Sequence, residues 1–413
     1  MSASIDPYAA LKIPDFRLFI ITRFTATLAI QIQAVVVGWQ VYELTKDPLA
    51  LGLIGLTEAI PSIAVSLYAG HLADVVNRKK IIVFCITTLL FCSSALLFFT
   101  LEPGRFLLNY GAIAIYSVIF ISGIARGFLT PALFAFMPQL VPRNLYANAI
   151  TWNSTLWETA AIGGPALGGF LFGFFDITTA YLVDVLLTVC SLALLLFIAS
   201  RPVPEATEED QGMVEKIRAG LRFVFTNQIV LGAISLDLFA VLFGGAVALL
   251  PIFASDILHV GPQGLGLLRS SPSIGALLVA LYVAHRPIQK NMGAILLACV
   301  AGFGFCMIGF GLSTSFLLSL FFLIASGGFD CISVIIRGTL LQTLTPENMK
   351  GRVSAVNNIF IGSSNEIGSF ESGLAARLMG VVPSVIFGGC MTLAVVGVTG
   401  WLAKSLRQLQ KVE

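Results

Sequence analysis

Long apolar stretches alternate with short polar segments from one end of the chain to the other. A helix needs about 20 predominantly apolar residues to cross a hydrocarbon core of roughly 30 Å, and the pattern repeats that length. The first stretch is too long for a signal peptide and has no small-residue cleavage site after it, so we expect it to be retained. The pattern predicts twelve membrane-spanning helices at about 16–42, 48–72, 80–101, 107–137, 147–174, 178–200, 229–255, 264–284, 292–312, 316–341, 352–376 and 382–403.

Composition supports a membrane protein and argues against several functions. Only 11% of residues are charged and 57% are hydrophobic, whereas a soluble domain carries about 25% charged residues. The seven cysteines all lie in apolar stretches without a CxxC or Cys/His cluster, so neither a disulfide nor a metal site is predicted. No HExxH, GxSxG or phosphate-binding loop is present, so we expect no enzyme and no cofactor. The basic residues are scattered among short loops and no domain carries them, so we expect no nucleic-acid partner.

The basic residues are distributed unequally between the two sets of loops. Of 24 lysines and arginines, 17 fall on the side that also carries both termini, 4 on the other side and 3 inside predicted spans. Positively charged loops stay in the cytoplasm. We therefore expect a multi-pass protein of the cytoplasmic (inner) membrane with both termini in the cytoplasm.

The longest loop divides the predicted spans six and six. It predicts a bundle at 1–200, a cytoplasmic linker at 201–228 and a second bundle at 229–413. In the linker, Val214, Ile217, Leu221 and Val224 recur at helical spacing, which is typical of an amphipathic helix on the inner interface. Shifts of 214 and 204 residues also align loops and spans of the two halves. The sequence therefore predicts an all-α membrane protein of two pseudo-symmetric six-helix bundles, a known plan for transporters.

The predicted spans contain seven acids and, apart from the arginines already assigned to the two sides of the membrane, only three arginines: Arg23, Arg126 and Arg337. Each charge at mid-bilayer costs about 2.5–3.5 kcal/mol on insertion scales, so some of the acids must be protonated, hydrated or near an interface. A desolvated carboxylate that takes up a proton is what proton coupling requires. The residues selected for coupling or cavity charge are Glu58, Arg126, Asp237, Asp330 and Glu366.

Two interpretations of these charges stay open. Glu58 is either a proton or substrate-cation site or an acid paired structurally with an arginine. The shifts equate Arg126 with Asp330 and Arg23 with Asp237, which suits either an ion-pair switch or permanent buried pairs. For the three remaining span acids we expect structural roles: Glu158, Asp184 and Glu371.

Polar stripes on spans 1 and 11 predict the walls of a substrate cavity, because lipid could not satisfy them. The polar residues of each stripe recur at helical spacing. The candidate cavity residues are Arg23, Thr27, Gln31, Trp39, Asn358 and Asn365.

The loop between spans 2 and 3 reads GHLADVVNRKK at residues 70–80. It resembles the signature G-x-L-A-D-x-x-G-R-K of the major facilitator superfamily and departs from it at Asn77, where glycine is usual. The resemblance implies inner-face gating by Gly70, Asp74 and Arg78. Asp74 would reach the start of span 11 near Arg352, as a latch that holds the inner face shut.

Span 5 contains GPALGG at residues 164–169, which resembles the antiporter signature G-P-x-x-G-G of proton-linked exporters. The motif residues are Gly164, Pro165, Gly168 and Gly169, while Ala160 replaces an upstream glycine. Close helix packing is the alternative role for such small residues. Three further segments resemble the enterobactin-exporter and macrolide-efflux branch: 242–254, 264–278 and 345–357.

Together these features predict a secondary transporter that works by alternating access. The resemblance implies a monomer in the lipid bilayer that exports a small amphiphilic compound, such as a siderophore or drug, in exchange for protons. One alternative keeps the fold but imports a nutrient with protons. Others are lipid handling and a non-transporting sensor or scaffold, which would carry an additional soluble domain.

Overall fold

The computed structural model describes residues 6–101, 111–202, 213–286, 288, 290–346 and 349–409. Across this part of the chain the secondary structure is helical, with no strand. The long helices are α1 (Pro14–Thr45), α2 (Pro48–Val75), α3 (Arg78–Leu101), α4 (Ala112–Phe136), α5 (Tyr146–Phe174), α6 (Ile177–Phe197), α7 (Met213–Thr226), α8 (Gln228–Gly244), α9 (Gly261–His285), α10 (Met292–Leu312), α11 (Phe316–Leu344), α12 (Lys350–Met379) and α13 (Val381–Leu402).

The membrane class predicted from hydropathy is confirmed. Within the described residues, ten helical segments are long and apolar enough to cross a bilayer. The helices α5 and α12 have 29 and 30 residues and are long enough, but they are not among those ten. The number of spans, twelve, therefore stays a prediction.

The chain forms two compact units, each with its own apolar core. Unit 1 consists of Met1–Thr45, Thr57–Ala206 and Leu265–Ser270. Unit 2 consists of Lys46–Leu56, Thr207–Gly264 and Ser271–Glu413. In unit 1, buried aromatic rings such as Phe16, Phe19 and Phe136 pack with aliphatic residues of α3 and α6. In unit 2, residues of α8, α10 and α11 form the corresponding core.

The seventh predicted span is not one regular helix. The helix α8 ends at Gly244, and three short turns follow at Ala246–Leu249, Leu250–Ile252 and Phe253–Ile257. Gly245 leaves the helical conformation, and Pro251 has no N–H to continue the backbone ladder. Hydropathy does not detect this interruption, because Gly245 and Pro251, where it occurs, lie in an apolar stretch.

The helix α7 forms in the linker, where an amphipathic helix was predicted. Val224 is buried against Val230, Val353 and Val356, while Arg222 is exposed. Part of the apolar face therefore packs on α8 and α12. The side chains of Val214 and Ile217 lie outside the described residues.

Candidate functional site

An ion pair joins two spans of unit 1. Arg126 of α4 donates from Nη1 to Oε1 of Glu58 on α2. Glycines on either side of Arg126 permit this contact, since a Cβ at Gly123 would lie 2.5 Å from the Glu58 carbonyl oxygen and one at Gly127 would lie 2.8 Å from that of Ser62. The close approach of α2 and α4 therefore places the guanidinium beside the carboxylate.

The ion pair continues into a chain of hydrogen bonds. Arg126 Nη2 donates to Gln33 Oε1 over 3.3 Å. Gln33 Nε2 then lies 3.2 Å from both Asp184 Oδ2 and Ser93 Oγ, and these three residues are buried. We call these five residues the Arg126 network: Glu58, Arg126, Gln33, Ser93 and Asp184.

Sequence reasoning did not select three of the five residues of this network. Gln33 and Ser93 were not selected, and Asp184 was expected to be structural. A signal was present, because Asp184, Thr188 and Ser191 recur at i, i+4 and i+7 of α6, and all three are buried in the structure. A polar stripe on a buried helix face needs partners, which here come from α1 and α3.

Unit 2 contains a second buried ion pair with a further acid close by. Arg337 of α11 pairs with Asp237 of α8, and the two side chains are 5% and 9% exposed. Asp330, Ser333 and Arg337 recur at i, i+3 and i+7 on α11. Asp237, Asp330 and Ser333 line one small cavity together with Cys299. Within the described part of the chain, Asp330 has no ion pair and the buried Ser333 hydroxyl has no hydrogen-bond partner.

In each unit, therefore, the buried or half-buried ion pair joins an acid and an arginine of that same unit. The repeat shifts had aligned Arg126 with Asp330 and Arg23 with Asp237, and a pairing of these residues across the two units stays a prediction. Arg23 donates to Asn153 Oδ1 over 2.6 Å. Each unit thus holds an acid–arginine pair with a second acid close to the pair: Asp184 is linked to it through Gln33 in unit 1, and Asp330 lines a cavity with Asp237 in unit 2.

The candidate cavity residues lie in different surroundings. Arg23, Thr27 and Gln31 are half-buried on α1. Trp39 is buried, with its ring centroid 6.1 Å from that of Phe172. On α12 of unit 2, Asn365 is exposed and a Cβ at Gly55 would lie 3.0 Å from Glu366 Oε2. The side chain of Asn358 lies outside the described residues.

Basic residues after α2 bind the carboxyl ends of several helices. Arg78 donates from Nε to the carbonyl of Ala73 and from Nη1 to that of Ala135, over 2.9 and 3.1 Å. Lys79 Nζ donates to the carbonyls of Leu196 and Ile198. The last carbonyls of a helix lack intrahelical partners and carry partial negative charge, which cations neutralise. The first turn of α3 therefore ties α2, α4 and α6 together inside unit 1.

The latch proposed for this loop involves side chains outside the described residues, those of Asp74 and Arg352. The backbone positions are described: Gly70 and Asp74 lie in α2, and Arg352 lies in the first turn of α12.

The glycines of the GPALGG motif pack against α1 and α9. A Cβ at Gly164 would lie 2.4 Å from Gln31 Cβ, and one at Gly168 would lie 3.1 Å from Ile32 Cα. In addition, a Cβ at Gly266 would lie 2.7 Å from the Pro165 carbonyl and 2.9 Å from Gly169 Cα. The motif therefore lets the α5 backbone approach its neighbours closely, as small residues do between membrane helices.

This packing predicts different effects for two neighbouring glycines. We expect Gly168→Ala to lower the free energy of unfolding by about 1–2 kcal/mol, because the new methyl group overpacks the contact with α1. Gly163→Ala is the matched control, since nothing lies within 4 Å of a Cβ there. Thermal unfolding in detergent measures both. Equal midpoints for the two variants would contradict the assignment.

Known proteins resemble this chain along nearly all of its length. Residues 5–412 match the family model described as transmembrane secretion effector. The enterobactin exporter EntS of Citrobacter koseri is 28% identical over 388 residues, which cover 93% of this chain and 90% of that protein. EntS of Escherichia coli O81 is 27% identical over 389 residues, with coverage of 93% and 90%.

Solved transporter structures share the fold at low sequence identity. A bacterial homologue of the iron transporter ferroportin in an inward-facing state has a TM-score of 0.71 at 16% identity, covering 95% of this chain and 98% of that one. A POT family transporter in complex with 5-aminolevulinic acid has a TM-score of 0.71 at 12% identity, with coverage of 95% and 96%. With the helical membrane fold and the loop signature, the match over the whole chain shows that this protein belongs to the transmembrane secretion effector family of the major facilitator superfamily.

Proposed function

We propose that this protein exports a small amphiphilic organic molecule, such as a siderophore or drug, across the cytoplasmic membrane in exchange for protons. It acts as a monomer in the lipid bilayer, with both termini in the cytoplasm. The observation that carries the proposal is the charge imbalance inside each unit, where an acid–arginine pair has a second acid close by. The arginines are Arg126 in unit 1 and Arg337 in unit 2.

An acid in excess of its counter-charges supports proton exchange. An ionised carboxylate without a partner is costly inside the membrane, by about 2.5–3.5 kcal/mol on insertion scales. A proton removes that cost, and water access restores the ionised form. In unit 2 the acid in excess is Asp330, beside the Asp237–Arg337 pair. Its protonation therefore responds to whichever solution reaches the cavity.

The relatives supply the first substrate to test. Two enterobactin exporters match 93% of this chain. Enterobactin is amphiphilic, and the half-buried polar residues Arg23, Thr27 and Gln31 of α1 offer hydrogen-bonding groups to such a molecule. Transport of enterobactin and of a cationic drug should therefore be compared.

The experiment uses purified protein in inside-out vesicles. We expect an acidic lumen to drive enterobactin into the vesicles and a protonophore to abolish this uptake. Loss of substrate from preloaded vesicles under the same gradient would instead indicate import. If wild-type protein moves neither substrate in response to the pH gradient, the proposed function is wrong.

Asp330→Asn tests the acid of unit 2. We expect uptake driven by the pH gradient to fall by about tenfold or more, because the asparagine keeps the shape but holds no exchangeable proton. Exchange of labelled for unlabelled substrate should continue. Glu371→Gln is the matched control, because Glu371 is half-buried on α12 and has no role in the proposal. Unchanged coupling in Asp330→Asn would remove Asp330 from the mechanism.

A further inference from the structure

We propose that Asp184 is a second proton-holding residue and that it alternates with Glu58 as the counter-charge of Arg126. Gln33 connects the two acids. The inference rests on the proposed proton exchange and assigns it a site in unit 1. The geometry that points to it is the continuous Arg126 network, which runs from Glu58 through Arg126 and Gln33 to Asp184.

The surroundings of Asp184 offer it hydrogen bonds but no adjacent cation. Asp184 is 1% exposed, and Gln33 Nε2 lies 3.2 Å from its Oδ2. The titratable groups that face it are Arg126 from α4, Cys92 from α3 and Tyr181 from its own helix. From α1 it meets the neutral Gln33, and Glu158 on α5 forms no hydrogen bond or ion pair with any described residue. Arg126 is therefore the one positive charge of its surroundings in the described part of unit 1.

The orientation of Gln33 follows from the chemistry of its neighbours. A guanidinium has only donors, so the amide oxygen must face Arg126. The amide nitrogen then faces Asp184 and Ser93, as the distances show. Gln33 therefore presents a donor to Asp184 whenever its oxygen accepts from Arg126. The bond from Arg126 polarises the Gln33 amide and strengthens its donation to Asp184. If the guanidinium moved away, the hydrogen bond from Gln33 Nε2 would stabilise a negative charge on Asp184 less.

Charge balance couples the two acids. With Glu58 ionised and paired to Arg126, a second negative charge on Asp184 has no compensation, and Asp184 holds a proton. When Glu58 takes up a proton, the arginine is released from it and its charge supports an ionised Asp184 through Gln33. The two carboxyl groups therefore share one proton per arginine.

A small cavity beside Asp184 supplies a place for proton transfer. Gln33, Ser93, Asp184 and Thr188 line it together with apolar residues of α1 and α3, and it has room for about one water molecule. A water there has hydrogen-bonding partners from three helices. The proton lost by Asp184 moves to this water as the carboxylate forms, and the reverse step restores the acid.

Asp184→Asn tests the proposal in reconstituted protein with enterobactin as the probe. We expect transport driven by a pH gradient to fall by about tenfold or more, while exchange of labelled for unlabelled substrate stays within about twofold of wild type. Asp176→Asn is the matched control, since Asp176 caps the same helix by accepting from the Thr179 amide. Asparagine caps as well as aspartate does, so this variant should behave like wild type.

The outcomes separate this inference from the proposed function. If wild-type protein shows no response to a pH gradient, the proposed function fails and the inference fails with it. If wild type responds and Asp184→Asn responds equally, only the inference is overturned. Loss of substrate exchange as well as of pH-driven transport would also overturn it, because that result indicates a structural role.

Infrared spectroscopy decides the case in which Asp184→Asn does not fold. With aspartate labelled by carbon-13 in an Asp330→Asn background, we expect a protonated aspartic-acid band that disappears as Arg126 is freed by Glu58→Gln. The band should also shift in Ser93→Ala, which removes a hydrogen-bonding partner of the cluster. A missing band, or one insensitive to both changes, would overturn the proposal.

Discussion

Replacing Arg337 with methionine is expected to lower the free energy of unfolding by about 3–5 kcal/mol, the usual cost of breaking a buried ion pair from one side. Asp237 and Arg337 are both buried, so water cannot replace the lost cation. Asp330, which lines the same cavity as Asp237, offers no compensating positive charge. Thermal unfolding measures the effect, with a thiol-reactive fluorophore that reports exposure of buried cysteines such as Cys299 and Cys306.

Removing both charges should reverse most of this loss. In Asp237→Asn/Arg337→Met neither side chain leaves an uncompensated charge, so the midpoint should return most of the way to wild type. Arg286→Met is the matched control, because Arg286 is exposed after α9 and its replacement should change stability by no more than about 0.5 kcal/mol. A wild-type midpoint for Arg337→Met would show that the pair does not stabilise unit 2.

The fold class and the charged candidate residues could be predicted from the sequence, and the reason is physical. Lipid imposes a length and a polarity on every span, so hydropathy alone predicts helices such as α3, α10 and α13. The cost of a charge in a span likewise singles out Glu58, Arg126 and Asp237. These conclusions need no knowledge of which helices are neighbours.

The ion-pair partners of those residues depend on which helices are neighbours, so they could not be predicted from the sequence. Glu58 and Arg126 are 68 positions apart and meet because α2 and α4 approach closely at Gly123. For Asp237, the repeat suggested a relation to Arg23, but its partner is Arg337. The 204-residue shift equates Arg337 with Leu133, so the halves share an architecture but differ in their ion pairs.

The basic residues at the start of α3 illustrate a second limit. The positive-inside rule accounts for Arg78 and Lys79 by their charge alone. In the structure both side chains also bind backbone carbonyls at helix ends, and those of Ala135 and Leu196 are distant in sequence. Hydropathy locates helix ends only to within a few residues, so it could not predict which carbonyls these side chains would reach.

A second large effect is expected from Gly327→Ala, at a contact between the backbones of α9 and α11 in unit 2. A Cβ at Gly327 would lie 1.9 Å from the Pro272 carbonyl oxygen and 2.6 Å from Pro272 Cα. One turn along, a Cβ at Gly275 would lie 1.8 Å from the carbonyl oxygen of Ile324. Backbone atoms cannot rotate aside as a side chain would, so the helices must separate. We expect a loss of about 3 kcal/mol, the upper end of the usual range for overpacking.

Gly338→Ala, on the same helix, is the matched control for Gly327→Ala. Gly338 is exposed, and nothing lies within 4 Å of a Cβ there. Alanine is the better helix former by about 1 kcal/mol, so this substitution should leave the thermal midpoint unchanged or raise it. The same chemical change on one helix is thus expected to act in opposite directions, because one position is a backbone contact and the other is not. Equal midpoints would show that α9 and α11 do not depend on the small residue at Gly327.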